Sequence, residues 1–336
     1  MIDLRKVKAM EKNQSEYGRI GGSIVSAIIG HNPWETPLSA YLKLRKEVSP
    51  TPDNPAMERG RRLEPVVATM FAGCHPEYDV RNNRKGTEEP EEYIDEEHPY
   101  LVAHPDRLLY DKNGNLVAGL EIKTANVANS KAWGTENTDS IPMNYLIQCQ
   151  WYAGLAKIPE WLVAVAFVDD FGKIRFYREY KVIADNELYN ALRGCAIKFW
   201  RENVLEGVAP VMDKVNDTMK RWLVEKYPAN TQSIGVATQE EEQLMARLIE
   251  SKDALEKAKQ KYELYETKVK QAIGDRDGIM SETFGKVTWK LSKPSSRVDY
   301  KAVCDELNPP MELLKKYTTE VQGSRRFVTS GMKVTL

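Results

Sequence analysis

The sequence predicts a mixed α/β fold, of the α+β kind. A central mixed sheet is flanked by helices and followed by a helical arm and a small β-rich tail. Three observations predict it. Two apolar runs, residues 100–110 and 116–123, flank Asp111-Lys112-Asn113-Gly114-Asn115, and Asn-Gly between such runs is a strong hairpin signal. Residues 161–168 read WLVAVAFV, the continuous apolar pattern of a central strand buried on both faces. Segments with a helical period lie before and between these runs.

The elements follow in order. Residues 21–30 read GGSIVSAIIG. Ser23 is the expected N-cap, Ile24, Val25, Ile28 and Ile29 form the apolar face, and Gly30 is the stop. Thr36-Pro37 opens a second helix to about Lys46. Beyond the loop at 49–55, a third helix is expected over 55–72, where Ala56, Gly60, Leu63, Val67 and Met70 share a face and Pro65 interrupts. Residues 76–99 are polar and acidic and read as a loop with room for one short strand. Residues 142–157 read as a helix. Asp169-Asp170-Phe171-Gly172 turns the chain into a strand at Lys173–Tyr180. Asp185 caps a helix to about Leu205, with Leu188, Leu192, Cys195, Phe199 and Trp200 inward.

Composition shifts after the helix. Four regions are expected: an α/β core domain at 1–210, a linker with a short helix at 211–237, a long helix at 238–275 and a β-rich region at 276–336. Thr238 and Glu241 form a capping box. Leu244, Leu248, Ser251, Leu255, Ala258, Tyr262, Tyr265, Val269 and Ala272 then follow at alternating steps of four and three. That heptad pattern suits a coiled-coil arm or helical hairpin, or packing against the chain's own body. Lys286–Leu291 alternates as a strand, and Ser330-Gly331 separates two further strand-like runs.

With 48 basic and 49 acidic side chains the net charge is −1, unlike a protein that works only by coating nucleic acid. Basic residues are expected to gather in one place and acids in another. No run approaches the roughly 18 apolar residues of a membrane helix. The first 18 residues lack a signal-peptide core, so the cytoplasm is the expected compartment. Cys74, Cys149, Cys195 and Cys304 have no CxxC spacing, which argues against a zinc ribbon or local iron–sulfur motif and favours free buried thiols.

The chemical signal is Pro105-Asp106 followed by Glu121-Ile122-Lys123. Glu121 and Lys123 lie two apart on a strand and share a face, with Ile122 turned into the core. Asp106 lies 15 positions upstream on the partner strand and reaches the same end of the sheet. Two carboxylates can hold Mg²⁺, which takes oxygen ligands and keeps several waters, with Mn²⁺ able to substitute. The Ile122 carbonyl lies near the metal edge. Lys123 opposes the negative charge that builds on a phosphate and offsets repulsion between the acids. A bare Glu-x-Lys is ordinarily a solvated strand face; Pro-Asp across a hairpin makes it a candidate for metal-assisted phosphodiester hydrolysis.

Glu64, in Arg59-Gly60-Arg61-Arg62-Leu63-Glu64-Pro65, is a further candidate ligand, or a surface acid paired with Arg61. Tyr145, Gln148 and Tyr152 share a helix face suited to DNA contacts or to half-buried packing. Lys43, Arg45, Arg59, Arg61, Arg62, Arg81, Arg84 and Lys85 are candidates for a basic DNA track. His104 is near enough to Asp106 to reach a metal, though a structural role is the ordinary one. Trp34 and Trp133 are candidates for wedging against a DNA end or a splayed base, with core packing as the alternative.

Gly21-Gly22-Ser23, Gly30 with Asn32-Pro33, Gly60-x-x-Leu63-Glu64-Pro65, His104-Pro105-Asp106-Arg107, Glu121-Ile122-Lys123-Thr124 and Pro142-x-x-Tyr145-x-x-Gln148-x-Gln150 occur in one order. This series, over residues 15–205, resembles the YqaJ-type viral recombinase nucleases, relatives of the lambda-type exonuclease in the PD-(D/E)xK superfamily. The resemblance implies a restriction-endonuclease-like core, Mg²⁺ dependence and 5′-to-3′ digestion at double-stranded DNA ends. It implies 3′ overhangs handed to a single-strand annealing protein, and a homo-oligomer such as a ring trimer. It also implies that Asp106 and Glu121 bind metal, that Lys123 is catalytic, that Glu64 assists, and that Ser23 and Gln148 meet the terminal phosphate. Arg19 is the arginine nearest to one that the family often carries before the serine, at a different spacing. An endonuclease or single-strand nuclease of the same superfamily, and a non-catalytic DNA-binding scaffold, are the competing readings.

Overall fold

The computed structural model describes residues 17–82, 92–229, 234–292, 296 and 298–319. Arg84, Lys85 and Ser330-Gly331 lie outside these residues. The chain divides into two compact units, Met1–Tyr227 and Pro228–Leu336.

The first unit opens with α1 (Gly22–Ile28), α2 (Pro37–Leu44) and α3 (Pro55–Cys74). The cap of α1 is Gly21, not Ser23, which occupies the exposed first turn. The reason is tertiary: a Cβ on Gly22 would lie 2.9 Å from Gln148 Cγ and 3.0 Å from Tyr152 Cε1, so the glycine pair sets how closely this turn approaches its neighbour. Gly30 follows with φ +75°, the left-handed stop expected of it. Thr36 and Ser39 complete a capping box for α2, and Asn54 caps α3. That helix runs unbroken through Pro65. Pro65 and Arg61 are exposed, so the loss of a helical donor to the Arg61 carbonyl falls on the solvent-facing side of the helix.

Five strands form the central sheet in the order β1-β4-β5-β6-β7. They are β1 (Asp79–Asn82), β4 (Arg107–Tyr110), β5 (Leu116–Asn126), β6 (Glu160–Val168) and β7 (Ile174–Ile183). Only β5–β6 is parallel, giving the mixed sheet expected. A small pair, β2 (Tyr93–Ile94) with β3 (Val102–Ala103), lies beside it in sequence. The parallel step is bridged by a 3₁₀ turn, Val127–Ala132, and by α4 (Met143–Ala156).

The sheet separates two apolar clusters. Val67, Ala68 and Phe71 of α3 pack with Leu109, Leu120, Ile122, Ala164 and Ala166. Val163, Val165, Phe167, Tyr180 and Val182 face the larger cluster with α4 and α5 (Asn186–Phe199). Helix α5 continues as a π-helical turn, Trp200–Leu205, and Trp200 stacks on Tyr100 at 4.2 Å.

Helix α6 (Asp217–Lys226) is the short helix expected within the 211–237 linker, and it packs on this unit. Met219 is buried, with its sulfur 3.6 Å from Thr36 Oγ1. In the second unit, α7 (Gln239–Ile273) carries the capping box of Thr238 and Glu241. Its heptad seam is open to solvent: Leu255 is 56% exposed and Tyr262 68%. The tail holds the hairpin β8 (Gly278–Ser281) and β9 (Gly285–Thr288), then helices α8 (Tyr300–Leu307) and α9 (Met311–Tyr317). Asp299 Oδ1 accepts from Ala302 N at 3.0 Å at the start of α8, and Pro310 precedes α9.

All four cysteines are free, but only Cys149 is buried; Cys74, Cys195 and Cys304 are exposed. Among the described residues no helix is long and apolar enough to cross a membrane.

Candidate active site

Strand β5 positions the chemistry. Glu121 and Lys123 pair in register with Val163 and Val165 of β6, so they face the larger cluster beneath α4, while Ile122 packs on the opposite side against α3. Asp106 sits immediately before β4, and its Oδ2 accepts from Ile122 N at 2.8 Å. One backbone bond therefore fixes the aspartate to the strand that carries the other two groups. Glu121 is 2% exposed. Its Oε1 accepts from Lys123 Nζ at 2.5 Å and from Gln148 Nε2 at 2.8 Å, and Gln148 also donates to Tyr152 OH at 3.0 Å.

Burial and the neighbouring Asp106 push the Glu121 carboxyl up to about 8. Burial also raises Asp106, with Lys123 opposing. At Lys123 burial acts against the charge, but the carboxylates of Glu121 and Asp106 carry the ammonium above its ordinary value. The Tyr145 ring lies 5.0 Å from Lys123 Nζ, a contact that favours the cation.

A buried Glu121 raised by the neighbouring Asp106, with one lysine beside both, is a charge arrangement that a divalent cation relieves. The residues fit such an ion in one specific respect: Glu121 Oε2 is buried and has no hydrogen-bond partner, which in a native fold calls for an explanation such as an ion. Glu64 is turned aside, with Oε1 accepting from Arg107 Nη1 at 2.8 Å. Among the described residues no three His, Cys, Asp or Glu side chains gather tightly enough to enclose an ion unaided. The arrangement is an open two-carboxylate edge, suited to a cation that keeps waters.

The structure thus brings together Asp106, Glu121, Lys123, Gln148 and Tyr145, and it places Gly22, beside Ser23, against Gln148. Other candidates are engaged elsewhere. Arg19 Nη1 donates to Glu92 Oε1 at 2.7 Å, and His104 Nε2 is 3.1 Å from the same carboxylate. Arg62 pairs with Glu58, and Arg61 with Asp53. Arg59 lies beside a cleft, its Nε buried without a partner. Trp133 is a core residue at 5% exposure, whereas Trp34 is 61% exposed. The contacts of Gln148 with Glu121 and of Glu64 with Arg107 were not visible in sequence, because they join residues 27 and 43 positions apart.

A strand-borne Glu-x-Lys with an aspartate locked to it across a hairpin is the arrangement expected of the PD-(D/E)xK class. The family profile of the YqaJ-like viral recombinase domain matches residues 13–158. The chain is 28% identical over 302 residues to the uncharacterized protein YqaJ of Bacillus subtilis (strain 168), covering 89% of this chain and 88% of that protein. Among solved structures it resembles the alkaline exonuclease LHK-Exo from Laribacter hongkongensis, at 17% identity and a TM-score of 0.43, covering 63% of this chain and 97% of the other. It also resembles a phage related exonuclease from Haemophilus somnus 129PT, at 16% identity and a TM-score of 0.42, covering 58% and 99%.

Proposed function

We propose that this protein is a divalent-metal-dependent deoxyribonuclease acting at the ends of linear double-stranded DNA. The observation that carries the proposal is the buried, unpartnered Glu121 Oε2 within the Asp106–Glu121–Lys123 set. The recombinase-type domain profile over residues 13–158 supports the substrate class.

Asp106, Glu121 and the Ile122 carbonyl would hold Mg²⁺ or Mn²⁺, with Glu64 assisting once released from Arg107. A cation there supplies charge neutralisation at the phosphate and acidifies a water. The chain's own groups do the rest. Glu121 would bind the ion as the carboxylate. The Gln148 amide keeps the Glu121 carboxyl oriented. The Lys123 ammonium, held charged by two carboxylates, opposes negative charge growing on the phosphate. Ser23, at the exposed first turn of α1, and Gln148 receive the terminal phosphate, with Tyr145 and Arg59 beside them. Arg19 and Arg62 contact the duplex backbone after leaving their present partners.

In this reading digestion runs 5′ to 3′, leaves 3′ overhangs for a single-strand annealing protein, and is performed by a homo-oligomer such as a ring trimer; the family resemblance supports these three features. The test is incubation with Mg²⁺ on a linear duplex carrying distinguishable 5′ and 3′ labels, alongside a closed circle of the same sequence. Loss of label from the linear form alone, 5′ first, is the expected result. Cutting of the circle would make the protein an endonuclease of the same superfamily. Binding without cleavage of either would make it a scaffold.

A further inference from the structure

Immediately after Lys123, strand β5 continues through Thr124, Ala125 and Asn126 into the wall of a cleft of about 740 Å³. Other walls come from the loop after α1, including Trp34, from Arg59 and from Trp133 and Tyr145. We propose that this cleft is a nucleobase subsite in which Trp34 stacks on the base adjoining the phosphate that is cut. The proposal rests on the nuclease reading above.

Three observations carry it. First, the rings form a series. Phe167 and Trp133 meet edge-on at 5.8 Å, Trp133 stacks on Tyr145 at 5.5 Å, and Tyr145 lies 6.3 Å from Trp34. Because Tyr145 also lies over Lys123, the series leads from the core, past the reacting position, to an indole that is 61% exposed.

Second, that indole stands on a fixed loop. Asn32 Oδ1 accepts from Trp34 N at 2.9 Å and Glu35 N at 3.0 Å, while Asn32 Nδ2 donates to Ser26 Oγ at 3.0 Å. Asn216 Nδ2 donates to Trp34 O at 3.0 Å from the other side. An aromatic surface held in place before its ligand arrives is what stacking recognition needs, because little ordering remains to be done on binding.

Third, the lining suits a nucleotide: Arg59 and Lys214 can meet its phosphate, and the remaining wall suits its base. Aromatic faces and small apolar groups such as Ala56, Ala125 and Ala132 alternate with the amides of Asn129 and Asn144. A planar heterocycle uses both surfaces, stacking on the first and hydrogen-bonding to the second. The volume lies within the range of small-molecule sites, ample for one nucleotide.

The experiment uses the full chain and a linear duplex with 2-aminopurine as the 5′-terminal base, with Ca²⁺ replacing Mg²⁺ to suppress cleavage. Binding is expected to quench the probe. Trp34→Ala should abolish the quench and weaken binding on the order of tenfold or more. Trp34→Phe, which keeps a stacking face, should restore most of the affinity. Because the side chain is exposed, both variants are expected to unfold at the wild-type temperature, and that measurement accompanies them. Wild-type quench and affinity in Trp34→Ala would overturn the subsite while leaving the nuclease reading intact. Absence of Mg²⁺-dependent cleavage and DNA binding in the wild type would overturn both.

Discussion

Replacing Glu121 by Gln probes the charge arrangement directly. The substitution preserves shape, and an amide oxygen can still accept from Lys123 and Gln148, but the position can no longer ionise. In the wild type the carboxyl is pushed up to about 8, so without a divalent cation it is largely protonated at pH 7. In the unfolded chain it titrates near its ordinary value and is ionised at that pH. Folding therefore takes up a proton, and stability falls as pH rises from the unfolded value through the folded one. The slope approaches 1.4 kcal/mol per pH unit. Between pH 6 and 8 the wild type should lose about 2 kcal/mol relative to Glu121→Gln. For a unit of this size that is a change of about 4–8 °C in the difference of melting temperatures. The assay is thermal unfolding of both proteins in chelator across that pH range, repeated with Mg²⁺. A bound cation takes the proton's place, so Mg²⁺ should flatten the wild-type pH dependence and leave the variant nearly unchanged. A wild-type–variant difference that is constant from pH 6 to 8 in chelator would show that Glu121 takes up no proton on folding.

Further predictions follow from other contacts. Gly22→Ala forces a Cβ to 3.2 Å from Gln148 Cα as well as against its side chain; overpacking of this kind costs about 1–3 kcal/mol, and calorimetry with a cleavage assay should show both stability and turnover reduced. His75 lies between Glu179, at 2.6 Å, and Glu77, at 2.9 Å. Burial acts downward there, but the two carboxylates raise the imidazole above its ordinary pKa. That contribution is complete below about pH 6.5 and lost as pH rises through the higher folded value; denaturation at pH 6 and 8.5 should show His75→Gln costing more at the lower pH. Removing residues 236–336 should leave the first unit folded and alter assembly or partner binding, as read by light scattering; an unchanged mass with normal partner binding would contradict this.

Much of the fold was legible because its strongest elements are local. The Asn113-Gly114 hairpin, the apolar run of β6 and the caps at Thr36, Asp185 and Thr238 each announce themselves within a few residues. So did the shared face of Glu121 and Lys123, which follows from the period of a strand. What escaped depends on distant partners. Strand β1 is short and only partly buried, and becomes a strand by pairing with β4. Ser23 has the composition of a cap, yet Gly21 takes that place because only a glycine at position 22 allows the approach to Gln148. Arg19 carries the charge a phosphate site requires, but in this structure it is spent on Glu92. The seam of α7 had the pattern of a packed helix, and the period alone does not say what covers it.

On the proposed reading Asp106, Glu121 and Lys123 form a hydrolytic site rather than a buried structural ion pair. The most direct measurement compares wild type with Lys123→Ala on a linear duplex in Mg²⁺, scoring cleavage and, with Ca²⁺ substituted, DNA affinity. Loss of the group that opposes charge on the phosphate should lower the cleavage rate by about a hundredfold or more, with affinity changed little and the variant still folded. Wild-type cleavage by a folded Lys123→Ala protein would contradict the account.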